Sequence, residues 1–167
     1  WVTNEGEHDT GCSRSSLIDV CELEAIARAA RAGGKRDLLV LTDSRAALRE
    51  LRNGGTTRNK VNLVADVRRL VAERQAAGHT TEIAWVRGHA GVGLNEIADR
   101  LAVYARRVVA FGISHEAAKR AIDGILADLA EGGAPGLDAR WIVSDQELAG
   151  HGPLARAQAV SLDHATP

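Results

Sequence analysis

The chain has no methionine, one phenylalanine, one tyrosine and three tryptophans. So small an aromatic supply excludes a core of stacked rings, and Ala, Val, Leu and Ile must fill the interior. Only two cysteines occur, Cys12 and Cys21, in no spacing that suits a metal. They are expected to be free, buried thiols in a reducing compartment. No apolar run approaches the length of a membrane span and no signal peptide opens the chain, so the expectation is a soluble, cytoplasmic protein. Internal repeats are absent.

What is present suits one domain with a proper core: 167 residues, 45% hydrophobic and 26% charged. The net charge of −1 hides an asymmetry. Residues 28–74 hold twelve Lys/Arg against five Asp/Glu, whereas residues 1–27 hold one against six and residues 114–167 four against eight. A basic middle between acidic ends permits a phosphate-binding face without a basic protein overall.

Hydrophobic spacing orders the elements. Residues 1–8 suggest a strand, with a turn near Asp9–Gly11 making a hairpin. Leu23, Ile26, Ala27 and Ala30 fall on one helical face, closed by Gly33 and Gly34. "DLLVLTDS" is a short apolar run that fits a buried, parallel strand. "RAALRELRN" returns to helical spacing, and a longer helix around 60–77 carries Leu63, Val67, Leu70 and Val71 on one stripe. "TEIAWV" is a second strand, followed by a helix marked by Leu94, Ile97, Ala98 and Leu101. This alternation predicts an α/β layer fold. Past residue 112 the spacing predicts one more helix, from an N-cap at Ser114 to a C-cap near Gly132. The rest reads as a loosely ordered tail with room for a short strand or helix, so the expected division is 1–112 and 113–167.

Three acids stand out by position. Glu22 lies near the start of the first helix. Asp43 follows a buried strand, where α/β sheets place ligands. Asp99 lies early in the helix after the loop "RGHAGVG", which holds His89. Taken singly, Glu22 complements a helix N-terminus, Asp43 caps the next helix, Asp99 is a surface acid and His89 an ordinary loop histidine. Gathered at one sheet end, three carboxylates would repel one another unless a hard cation such as Mg²⁺ or Mn²⁺ compensated.

"CELEAI", "LTDS" and "WVRGHAGVGLNEIADRLA", in this order, resemble the type 1 ribonuclease H family over roughly residues 1–108. The resemblance implies an RNase H-like mixed sheet flanked by helices, and Mg²⁺-dependent endonucleolytic cleavage of the RNA strand of an RNA–DNA hybrid. It also implies two metal ions, with Mn²⁺ able to substitute. By resemblance Glu22, Asp43 and Asp99 are metal ligands, and His89 is the loop histidine that helps proton transfer or product release. Ser44, Arg49, Arg52, Arg58, Lys60 and Asn95 are then the candidate substrate contacts. No membrane and no obligate protein partner is implied.

Two departures qualify this. The family carries a fourth acid, an aspartate, on its first and central strand, and residue 1 already resembles the second strand. The expectation is therefore a piece of a longer product, weak or inactive alone, with Glu5, Glu7 and Asp9 in the wrong element to substitute. The sheet should show a gap, a hairpin displaced onto residues 38–42, or, least expected, "ARWIVSD" filling the slot. Asp19, moreover, stands where many members place an RNA-contacting asparagine. It could still accept a bond from a ribose 2′-hydroxyl, the group that separates RNA from DNA. The alternative reading is a non-catalytic nucleic-acid-binding or scaffolding module of the same fold. A DNA-directed nuclease or transposase fits the Gly-His-Ala-Gly block poorly.

Overall fold

A computed structural model describes residues 1–13, 15, 17–89, 93–128, 142–144 and 147–148. The elements follow as α1 (Ile18–Ala32), β1 (Leu38–Thr42), α2 (Arg45–Asn53), α3 (Arg58–Ala76), β2 (Thr81–Trp85), α4 (Gly93–Phe111), α5 (His115–Ala127) and β3 (Ile142–Val143). β1 and β2 are parallel, Leu38 opposite Thr81 and Thr42 opposite Trp85. β3 runs antiparallel on the far side of β2. The result is a three-stranded mixed sheet among the described residues, with helices packed against it.

The helices stop where local chemistry stops them. α1 ends at Gly33, whose N–H donates to the Ala29 carbonyl at 3.1 Å. A Cβ there would lie 2.2 Å from the Leu38 side chain, so glycine lets the chain turn back tightly into β1. α2 begins at Ser44, whose Oγ accepts from the Ala47 N–H at 3.1 Å, and ends at Gly54 in the left-handed region, φ 78°. The core joins α1, α2 and α3 to the sheet through Leu23, Leu48, Leu51, Val67, Val71 and Ile83, all fully buried. Each such side chain contributes about 1.5–3 kcal/mol by leaving water. Arg68 donates to the Leu51 carbonyl at 2.6 Å, satisfying the last turn of α2. Arg74 does the same at the start of the strands, bonding the Gly34 carbonyl and the Thr81 hydroxyl, each at 2.8 Å.

Three expectations need correction. The N-terminal hairpin turns at residues 4–6, not at 9–11. Thr3 Oγ1 accepts from the N–H groups of Glu5 and Glu7, and Gly6 supplies the positive φ of 81°. The hairpin is correspondingly short, with one bridge between Val2 and His8. Cys12 is exposed and Cys21 half-buried, so the two free thiols are not buried as expected. The tail is partly built into the core: β3 joins the sheet, and Val143 and Leu148 are fully buried. Ser144 and Glu147 cap one another reciprocally, at 3.0 and 3.2 Å. α5 starts at the expected Ser114 cap and ends at Ala127; Gly132 lies outside the described residues.

Among the described residues the slot beside β1 is a gap. Leu38 donates to Thr80 and Thr42 accepts from Val86, so these alternate residues face β2. Alternation along the strand then turns the backbone groups of Leu39 and Leu41 to the opposite side, where no described strand pairs with them. A groove of about 510 Å³ runs along this edge. Its walls are the N-terminal hairpin, the end of α1 and the start of α4. Two buried donors without a partner, Trp1 Nε1 and Asn95 Nδ2, belong to residues that line it. The hairpin has not slid across. Arg36 holds Glu5 and Glu7 at 2.5 Å each, and Arg28 holds Asp9 at 3.3 Å. "ARWIVSD" does supply strand residues, Ile142 and Val143, but they extend β2 and leave the slot beside β1 as it is.

Candidate active site

Two parallel strands end side by side at Thr42 and Trp85, and the loops beyond them carry the site. Asp43 follows β1 directly. Its carbonyl accepts the Trp85 indole N–H at 2.9 Å, which ties the two strand ends together. Gly88 passes so close that a Cβ would lie 2.7 Å from Asp43 Oδ2. Glu22, in the second turn of α1, accepts from the Thr42 hydroxyl at 3.4 Å. Asp99 reaches in from the second turn of α4. His89 takes φ 53°, rare for a residue with a Cβ, and its exposed ring puts Nδ1 3.7 Å from Asp99 and 4.0 Å from Glu96.

The electrostatics bind the three acids into one group. Burial pushes the Glu22 carboxyl up, the Asp43 charge adds to that, and Asp99 adds less; the Thr42 hydroxyl and the N-terminal ammonium oppose it. Burial likewise raises Asp99, again helped by Asp43, with His89 pulling the other way. Asp43 is thus the charge that both neighbours feel. The donor set is hard oxygen, and Gly88 leaves the Asp43 carboxylate uncrowded, so the chemistry suits Mg²⁺ or Mn²⁺. The cage is not closed: among the described residues no three acids or histidines converge tightly enough to hold an ion by themselves.

The expected substrate contacts separate into groups. Arg49, on α2, and Arg58, the first residue of α3, are exposed. Ser44 caps α2. Arg52 donates to the Ile142 carbonyl at 2.8 Å and pairs with Glu147. Lys60 is held between Asp19 and Glu50, the latter at 2.9 Å, with only 12% of its side chain exposed. Asn95 is buried against the groove. The basic surplus does not all face the acids. Arg36 and Arg74 sit at the opposite, amino-terminal end of the strands, and several other arginines are engaged in internal ion pairs. The basic residues of 28–74 are therefore not gathered on one face.

Sequence reasoning missed Thr42, Gly88 and the stack of Arg45 on Trp85, whose guanidinium carbon lies 4.0 Å from the ring centroid. Thr42 and Gly88 fall inside the very motifs that carry the resemblance and could have been taken from them. The stack joins residues forty apart, and no local signal announces it.

Fold and site together define an α/β protein with Glu22, Asp43 and Asp99 at the carboxyl ends of two parallel strands. A family model for RNase H matches residues 4–107, well over half of the chain, and the chain belongs to the RNase H family. No curated protein and no solved structure matched it.

Proposed function

We propose that this chain carries the active site of a metal-dependent endonuclease that hydrolyses the RNA strand of RNA–DNA hybrids. The observation that carries the reading is the gathering of Glu22 on the Thr42 hydroxyl, Asp43 against Gly88 and Asp99 beside His89 at the carboxyl ends of two parallel strands. Glu22, Asp43 and Asp99 would hold two Mg²⁺ ions, which when bound neutralise the cluster and supply an activated water. Around them Thr42 orients Glu22, Trp85 fixes the backbone of Asp43, and Gly88 keeps its carboxylate open. His89, exposed beside Asp99, would help proton transfer or product release, the role the resemblance gives it. A fourth acid would belong on a strand seated in the groove along β1.

Asp43→Asn should abolish Mg²⁺-dependent cleavage of a labelled hybrid, measured where the parent sequence cleaves it detectably, with Mn²⁺ in place of Mg²⁺ if turnover is slow. His89→Ala should only slow turnover. Cleavage by Asp43→Asn at the unsubstituted rate would remove Asp43 from the site. The open cage and the open edge of β1 favour one second reading, a nucleic-acid-binding module without catalysis. Hybrid binding with no cleavage under any divalent ion, even with the groove filled, would select it.

A further inference from the structure

We propose that Lys60 is a positioning residue for Glu22 and not a phosphate contact. This assignment rests on the nuclease reading of the site and moves Lys60 out of the substrate contacts that the resemblance implies. Three observations carry it. First, the start of α1 lacks an ordinary cap. Leu17 offers no side-chain acceptor there, and Asp19 supplies one instead, its Oδ1 taking the Val20 N–H at 3.1 Å. Second, Lys60 holds that same carboxylate. Its ammonium, in the first turn of α3, pairs with Asp19 Oδ2 and, at 2.9 Å, with Glu50 Oε1 of α2. Glu50 is itself fixed, because its two oxygens accept from the Thr56 N–H and hydroxyl, both at 2.8 Å. The ammonium thus ties three helices together and is nearly buried, so a phosphate outside could reach it only by breaking the tie. Third, Glu22 lies one turn beyond Asp19 on α1, and its own hold on the sheet is long, the Thr42 hydroxyl at 3.4 Å. Where α1 begins therefore decides where the Glu22 carboxylate stands beside Asp43 and Asp99. A nearly buried ion pair is a weak source of net stability; what this one supplies is a single arrangement of the three helix ends.

The test is Mn²⁺ binding by the whole chain without nucleic acid, measured by isothermal calorimetry. Beside it, binding of a fluorescein-labelled RNA–DNA hybrid is followed by anisotropy in EDTA across a KCl series. Lys60→Met should weaken Mn²⁺ binding about tenfold, the low end for a group that supports a metal ligand from behind. The sign is diagnostic, because removing a cation near the acids would by charge alone tighten the binding of Mn²⁺. Lys60→Arg, which keeps the charge and can span both carboxylates, should recover most of the loss. Hybrid affinity and the log–log salt slope should stay at their unsubstituted values in Lys60→Met, whereas loss of a direct phosphate contact would make the slope shallower by about one. Melting curves establish that each variant is folded at the temperature used, and Lys60→Gln, which keeps a donor toward Glu50, replaces Lys60→Met if that variant is not. Unchanged or tighter Mn²⁺ binding in the folded variant, or a shallower salt slope, would overturn the positioning role and leave the nuclease reading standing. Absence of Mn²⁺ binding by the unsubstituted chain would overturn both.

Discussion

At the scale of single residues, the acids are poised against themselves. Glu22 and Asp99 both sit above their ordinary values through burial and the Asp43 charge. A raised carboxyl loses stability as pH climbs from its unfolded to its folded value and carries the full cost above that, so the cluster weakens the metal-free protein at neutral pH. Asp43→Asn should therefore raise the metal-free melting temperature by roughly 2–4 °C per kcal/mol of repulsion relieved, read by calorimetry in EDTA. An unchanged or lower value would deny the coupling. Lys60 shows the opposite sign. Its hydrogen bond holds Asp19 below its ordinary 3.8. Glu50 is pushed up most by burial, but the bonds from Lys60 and Thr56 prevail and keep it below 4.5. Depressed acids give stability that is full above those values and fades as pH falls through the lower folded ones. Lys60→Met should accordingly lower the urea midpoint at pH 7, with a deficit that shrinks at pH 3. A constant deficit would mean that packing, not charge, is what Lys60 supplies. The motifs made Glu22, Asp43, Asp99 and His89 legible. The roles of Lys60 and Asn95 were not, because each depends on partners from other elements.

At the scale of elements, legibility followed periodicity. α1, α2, α3, β1 and β2 fall where their apolar spacing puts them, since each buries one face against the same core. The hairpin turn was misplaced because Thr3 and Gly6 build a local turn that outweighs the β propensity around them. The tail was the harder case. Two strand residues and one leucine give no period, yet Ile142–Val143 finds the free edge of β2 and Leu148 reaches the core. The division proposed at residue 113 can be tested there. If the tail is an appendage, Leu148→Ala will be silent. If it completes the domain, removing a fully buried leucine should cost about 2–5 kcal/mol, a fall in melting temperature of at least ~4 °C. The geometry favours the second outcome.

At the scale of the whole molecule, the sheet and the site are open on the same flank among the described residues. The groove along β1 brings together apolar walls, the outward backbone groups of Leu39 and Leu41, and the buried donors of Trp1 and Asn95. Buried donors without acceptors cost about 1–3 kcal/mol each, so the groove gains most from something rich in carbonyls and apolar on its faces. An extended polypeptide strand has both properties, and one laid beside β1 would run toward the Asp43 end of the sheet. A seven-residue peptide with alternating valines should therefore bind the chain and protect the Leu39 and Leu41 amides from hydrogen exchange. The same peptide with proline at the paired positions should not. Carrying an aspartate in register with Thr42, the first peptide should also raise Mg²⁺-dependent hybrid cleavage at least tenfold, on the order of 1.4 kcal/mol in barrier. Protection without added cleavage would mark the groove as a strand seat and refute the fourth-acid proposal. Absence of protection would refute the strand seat itself, and the cost of the orphaned donors would then need another explanation.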